Sequence, residues 1–165
     1  MKKESSNIAY KPVRQVRKRR VNIGLLGVEL EKASRGLYQP SESYCGYQFF
    51  LANLSPQADN KNTLDAETFL AALGITIFVV DELQLTLEEF ITEEKFEDFF
   101  PEHEYLIEQG QLKESKKFRA LEKLLQKRLG DVKVFRVGRV EVRCYICGLV
   151  NDGKIAGLVT TKIKT

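Results

Sequence analysis

The sequence has 165 residues, of which 43% are hydrophobic, and a formal net charge of +3 at pH 7. That length and apolar content fit one domain with a closed core, which excludes a wholly disordered chain. Residues 1–20 carry eight Lys or Arg and one Glu, so the remaining residues, with eighteen basic and twenty-two acidic side chains, are acidic overall. We therefore expect a basic, flexible arm over residues 1–20 and a domain over residues 21–165.

The sequence predicts neither a membrane span nor a disulfide framework. No apolar run approaches the roughly 20 residues that a helix needs to cross a bilayer. The run at residues 21–30 follows four basic residues, as in a signal peptide, but Asn22 and Glu29 interrupt it, which favours a buried first helix. Three cysteines are an odd number for a disulfide framework, so we expect a reducing, cytoplasmic location.

The first half of the domain predicts two helices and two strands. Apolar residues at steps of three and four predict a helix over residues 21–36. After a polar loop at residues 40–43, aromatic and aliphatic residues predict a short strand at 47–51. Residues 66–73 predict a second helix, and the β-branched, apolar residues 75–80 predict a buried strand.

The second half predicts an acidic segment, a long helix and three strands. Residues 81–108 hold eleven carboxylates and one lysine, with phenylalanines between them, and predict one or two short helices with a break at Pro101. Leucines on one face and basic residues on the other predict a helix over residues 112–129, ended by Gly130. Three strands follow, at residues 132–137, 140–149 and 154–163. Helices on both sides of a mostly antiparallel sheet make this an α+β domain.

Residues of the types that enzymes use for catalysis are sparse. His103 is the only histidine, and a single histidine among carboxylates is more often a surface residue than a catalytic base. Cys144 and Cys147 have the spacing of zinc and redox sites, but residues three apart on a strand point to opposite faces, and only a bulge would bring the thiols together. Neither a phosphate-binding loop nor a dinucleotide fingerprint is present. We therefore predict a protein that is not an enzyme and needs no metal or cofactor.

The acidic segment at residues 81–108 suggests a binding function. A row of carboxylates can imitate the phosphates of a nucleic acid and enter a cleft lined by Lys and Arg. Phenylalanines exposed between the carboxylates would anchor such a complex, since aromatic side chains carry much interface energy. The alternative is that the acids only keep an amphipathic helix soluble.

A second alternative is that the protein itself binds nucleic acid or acts as a regulatory interaction module. The basic residues of the arm at residues 1–20 can contact several phosphates without sequence preference. The polar face of the helix at residues 113–128 is also basic, which supports this possibility. Against it, the rest of the chain offers no basic groove with stacking aromatics.

Short motifs near the start and the end of the domain occur in a particular order. Near the start, Ala-Ser-Arg-Gly-Leu at 33–37 precedes Ser-Glu-Ser at 41–43 and Phe-Phe-Leu at 49–51. Towards the end, a helix at 118–129 precedes Val-Phe-Arg-Val-Gly at 134–138, Val-Glu-Val at 140–142, Tyr-Ile-Cys-Gly at 145–148 and Lys-Ile-Ala-Gly-Leu at 154–158. In this order, over about half of the chain (residues 25–54 and 116–165), the sequence resembles the nuclease A inhibitor family.

The resemblance implies a fold, a function and a set of contact residues. It implies an α/β/α sandwich that, as a monomer without a cofactor, blocks a non-specific DNA/RNA endonuclease with a single Mg²⁺ ion. Glu42 matches the family's loop glutamate, which reaches into the catalytic cleft, and Thr165 matches its terminal threonine, which approaches the metal site. A loop carboxylate is a reasonable phosphate surrogate, and the oxygens of a terminal threonine are of the kind that Mg²⁺ and its waters accept. Phe96 and Phe99 are the candidates for the family's aromatic anchor in the acidic segment.

The sequence departs from the family in its charge near Thr165. Arg139 and Arg143 lie on the predicted final sheet, and Lys162 and Lys164 precede Thr165 directly. These positive charges would repel a basic nuclease cleft, which leaves open a target other than the family's usual one.

Overall fold

The computed structural model of the protein describes residues 20–39, 45–54, 64–75, 84–151 and 153–163. The helices of these ranges are α1 (Ile23–Ser34), α2 (Ala66–Ala72), α3 (Leu87–Phe90), α4 (Phe96–Phe99), α5 (His103–Glu108) and α6 (Leu112–Arg128). The strands are β1 (Gln48–Asn53), β2 (Ile91–Glu94), β3 (Gly130–Val137), β4 (Glu141–Val150) and β5 (Lys154–Ile163). None of the helices in the described ranges is long and apolar enough to span a membrane.

The described strands form one antiparallel sheet in the order β1-β5-β4-β3-β2. β4 and β5 pair along their full length, from Glu141 opposite Ile163 to Val150 opposite Lys154. Both strands were predicted from the sequence and are confirmed. The two strands come so close at Gly157 that an added Cβ would lie 1.9 Å from the Ile146 carbonyl oxygen, so this position requires glycine.

Helices cover both faces of the sheet, which confirms the predicted α+β sandwich. One core cluster packs α1, α4, α5 and α6 against one face, and a second packs Leu64 and α2 against the other. Strand β4 shows why both faces are apolar, since successive residues alternate between the two clusters: Cys144 and Ile146 lie in the first, Tyr145 and Cys147 in the second. The predicted divergence of the Cys144 and Cys147 thiols is thereby confirmed.

Helix α6 forms as predicted because Phe118, Leu121 and Leu125 share one face, and all three are buried. Helix α1 is capped at its N-terminus by Asn22, whose side chain accepts a hydrogen bond from the Leu25 amide at 3.1 Å. The two helices pack against each other.

The acidic segment differs from its prediction. The sequence predicted only helices here, but the described residues form α3, then β2, then α4 and α5. Strand β2 pairs with β3, placing Ile91 opposite Val137 and Glu94 opposite Val134. The reason is tertiary, because β3 offers an edge whose backbone groups need partners, and an isolated four-residue strand has no stability of its own. The predicted strand at 75–80 lies outside the described residues except for Ile75.

Candidate functional site

The residues predicted to contact a partner divide into two groups. Glu42 and Thr165 lie outside the described residues, as does the arm apart from Arg20. Phe96 and Phe99 are described, and so are the residues that flank Glu42 and precede Thr165: Gln39, Cys45 and Ile163. The geometry of these neighbours shows how the two ends of the loop and the described end of β5 are arranged.

Gln39 joins the loop that carries Glu42 to the acidic segment. Its side chain is 3% exposed, and its Nε2 donates to the Phe99 carbonyl oxygen at 3.0 Å. Its Oε1 accepts a hydrogen bond from the Tyr47 hydroxyl at 2.5 Å. Burial raises the pKa of Tyr47 well above its usual range, so this phenol stays protonated and keeps donating. Both polar ends of the buried amide are therefore satisfied, one by a group 60 positions away and the other by a group 8 positions away.

Two further hydrogen bonds fix the ends of this loop against β5. The backbone amide of Gln39 donates a hydrogen bond to the Cys45 carbonyl oxygen at 3.4 Å, which closes the loop at its base. The same carbonyl accepts a hydrogen bond from the Thr160 hydroxyl at 3.2 Å. Thr160 is itself buried on β5, three residues before the strand ends. The base of the loop and the C-terminal end of β5 are therefore neighbours.

Lys162 connects the end of β5 to the acidic segment. Its Nζ lies 5.0 Å from the centroid of the Phe99 ring, an attractive cation–π geometry. Burial lowers the pKa of Lys162, with Arg136 adding to the effect. The side chain thus folds back onto the domain instead of pointing freely towards a partner. The loop base, the acidic segment and the end of β5 all meet at this end of the sheet.

The expectation that the phenylalanines of the acidic segment are exposed is wrong for Phe96 and Phe99. Each is 4% exposed and belongs to the core beneath α6. They contact Phe100 edge-to-face, with ring centroids 5.7 and 5.3 Å away. Their spacing places them on the inner side of a segment that folds onto the sheet, which the acidic composition of the segment did not indicate.

The outer side of the acidic segment carries two exposed apolar side chains among carboxylates. Tyr105 and Ile107 on α5 are 52% and 48% exposed. Exposed carboxylates of the same segment are Glu88, Glu89, Glu93, Glu97, Asp98, Glu102, Glu104 and Glu108. Within the described residues only Glu93 of this group forms an ion pair, with Lys133 at 3.7 Å. Most of these carboxylates are therefore without an ion-pair partner among the described residues, and the exposed Tyr105 ring belongs to the same segment.

His103 takes part in a small polar cluster between α5 and α6. Its Nε2 lies 3.0 Å from Glu122 Oε2, and its Nδ1 lies 3.5 Å from the Ser115 hydroxyl. Burial raises the pKa of Glu122, and the charge of His103 partly opposes that shift. Ser115 is buried, with 2% of its surface exposed. This cluster holds α5 against α6, and His103 is half-buried rather than on the open surface.

The sequence did not indicate the structural roles of Gln39, Tyr47 and Thr160. Each is an isolated polar residue next to a predicted loop or strand end, and nothing in the spacing marks it as buried. Within the described ranges, no three His, Cys, Asp or Glu residues are placed so that they could hold a metal ion together.

These features together define a class: an α+β binding domain with an acidic surface and a loop and strand end fixed side by side. The chain belongs to the nuclease A inhibitor-like protein family, whose model matches residues 26–165. That family consists of nuclease inhibitors, so a nuclease is the kind of partner that membership implies. No curated protein matches the chain significantly.

Proposed function

We propose that the protein inhibits a Mg²⁺-dependent, non-specific DNA/RNA endonuclease by occupying its active site in a one-to-one complex. The observation that carries this proposal is the meeting of the Glu42 loop base, the acidic segment and the end of β5 at Gln39, Phe99 and Thr160. One partner surface can then contact all three elements at once.

The chain lengths on either side of this meeting point support contacts by Glu42 and Thr165. The backbone amide of Gln39 is hydrogen-bonded to the carbonyl of Cys45. Five residues connect Gln39 to Cys45, and Glu42 is the middle one. Thr165 follows Ile163 by two residues, about 7 Å of extended chain. These short connections support the proposal that both residues contact the partner near this end of the sheet. A carboxylate and a hydroxyl delivered there are suited to a cleft that binds phosphate and Mg²⁺.

The charges of the described surface fit a basic cleft better than the sequence suggested. The unneutralised carboxylates of the acidic segment would accelerate encounter with a positively charged nuclease. Lys162, which the sequence analysis counted as repulsive, covers the Phe99 ring. Arg139 and Arg143 remain exposed, so we expect the cognate cleft to be less basic near them.

A titration tests the proposal directly. A Mg²⁺-dependent non-specific endonuclease digesting plasmid DNA should lose its activity as the protein is added, with an endpoint near one molecule per nuclease. Inhibition should fall as salt rises, because steering between exposed charges is screened within about 10 Å at 0.1 M salt. Full activity of several such nucleases at large molar excess of the protein would contradict the proposal.

A further inference from the structure

The outward face of α6 carries a stripe of lysines that inhibition does not use. Lys113, Lys116, Lys123 and Lys127 follow one another with Ala120 between them, at steps of three and four residues, and all five are exposed. Because such steps keep residues on one side of a helix, the stripe lies opposite the buried Phe118, Leu121 and Leu125. From Lys113 to Lys127 the helix advances fourteen steps, a length of about 21 Å.

The lysines of this stripe have no carboxylate partner among the described residues. Within those ranges none of them forms an ion pair, whereas Arg128 on the flank of α6 pairs with Glu29 at 3.0 Å. Of the two acids on α6, Glu122 faces His103. The described part of the surface around α6 is therefore basic and exposed to solvent.

Helix α1 packs beside the same helix. The backbone of Val21 exchanges two hydrogen bonds with the Asn151 side chain, at 2.7 and 2.9 Å, which fixes the start of α1. Helix α1 runs antiparallel to α6, since Glu29 pairs with Arg128 near the end of α6 and the Arg35 carbonyl accepts from Lys117 near its start. The N-terminal end of α1 therefore lies towards the end of α6 that carries Lys127.

We propose that the α6 stripe binds the phosphate backbone of a nucleic-acid duplex without sequence preference. A duplex carries one negative charge per about 1.7 Å of its axis, so a stripe of about 21 Å faces many phosphates at once. The outward face of α6 has no aromatic side chain, which disfavours binding of single strands by base stacking. Lysine is depleted in protein interfaces, which disfavours an acidic protein as the partner.

This binding is distinct from nuclease inhibition and does not depend on it. The loop base at Gln39 and Cys45 and the acidic segment belong to other elements than the stripe. An inhibitor that also holds a duplex would be concentrated on the substrate that its nuclease attacks.

The full chain, labelled with a fluorophore, should be titrated with a 20-base-pair duplex at several salt concentrations. The test variant is Lys116→Gln, Lys123→Gln and Lys127→Gln together. The control, Lys95→Gln, Arg139→Gln and Arg143→Gln, changes the net charge equally, and all three of its positions are exposed and lie outside α6. We expect the test variant to bind at least about tenfold more weakly near 0.1 M salt. Its plot of log affinity against log salt should flatten by about 2.7, from about 0.9 per lost phosphate contact.

Each other outcome overturns the proposal. Equal losses in the two variants would mean that only net charge matters, and unchanged binding by the test variant would assign the contact to the arm alone. Equal or tighter binding of poly-glutamate or of anionic lipid vesicles would point to a protein or a membrane instead. Absence of duplex binding by the unmodified chain at 50 mM salt would remove the inference, whatever the result of the nuclease titration.

Discussion

The side-chain amide of Gln39 donates a hydrogen bond to the backbone carbonyl of Phe99, at 3.0 Å and across 60 positions of sequence. The Gln39 amide is buried, and its oxygen is in turn satisfied by Tyr47. A buried polar pair of this kind is costly to break, because each group left behind has lost its water as well as its partner. The packing of the base of this loop, at Gln39, against the acidic segment therefore depends on one glutamine.

Replacing Gln39 by Leu should lower the free energy of unfolding by about 1–3 kcal/mol, since the Phe99 carbonyl would stay buried without its donor. Urea unfolding monitored by circular dichroism measures this change. Gln109→Leu is the matched control, because that side chain is exposed, and it should change stability by less than about 0.5 kcal/mol. Equal effects in both variants would contradict the buried role.

Removing the charge of Glu42 should weaken nuclease inhibition without unfolding the domain. Glu42→Gln keeps the size of the side chain, and we expect a loss of about 2–5 kcal/mol in binding if the carboxylate meets a desolvated positive group. The inhibition constant against the nuclease identified by titration measures it. Glu67→Gln on α2, an exposed carboxylate outside the proposed site, should leave the inhibition constant unchanged.

Deleting Thr165 should raise the inhibition constant about tenfold or more, as expected when a hydrogen bond to a charged group worth about 1.5–3 kcal/mol is lost. The thermal midpoint should stay the same, because Thr160 and Lys162 keep their contacts. Thr165→Ser retains the hydroxyl and should inhibit normally. Normal inhibition by the deleted chain would remove Thr165 from the interface.

Substitutions at Phe99 and at Tyr105 should distinguish an effect on stability from an effect on nuclease binding. Phe99→Ala opens a cavity in the core and should cost about 3–5 kcal/mol of stability. Tyr105→Ala removes an exposed ring and should leave stability within about 0.5 kcal/mol while weakening inhibition. Denaturation and inhibition assays on both variants measure the two effects. Unchanged inhibition by Tyr105→Ala would exclude this ring as an anchor.

The raised pKa of Glu122 leads us to expect that the free energy of unfolding depends on pH. Burial raises the pKa of Glu122 in the folded state, so the folded protein binds more protons than the unfolded chain between the ordinary and the raised value. Stability contributed by this group is present at lower pH and is lost as the pH rises through the raised pKa. Glu122→Gln should abolish that decline, and exposed Glu104→Gln should keep it. Urea unfolding at successive pH values above 4 would show the difference, and parallel curves for all three proteins would refute it.

The sequence determined much of the frame because its patterns are local. The leucine stripe of α6 and the alternation along β4 and β5 report which side of each element is apolar, and local periodicity is enough to read that. The opposite directions of Cys144 and Cys147 followed from the same alternation. The family likewise followed from the order of short motifs, and the match over residues 26–165 confirmed it.

Which strands pair and which side chains contact one another was decided only by the tertiary structure. Strand β2 exists because β3 presents an edge, and Phe96 and Phe99 are buried because the acidic segment folds onto the sheet. Gln39, Thr160 and Lys162 acquire their roles from partners 60 or more positions away. No local pattern encodes such pairings, since they depend on long-range packing that brings distant backbone and side-chain groups out of water together.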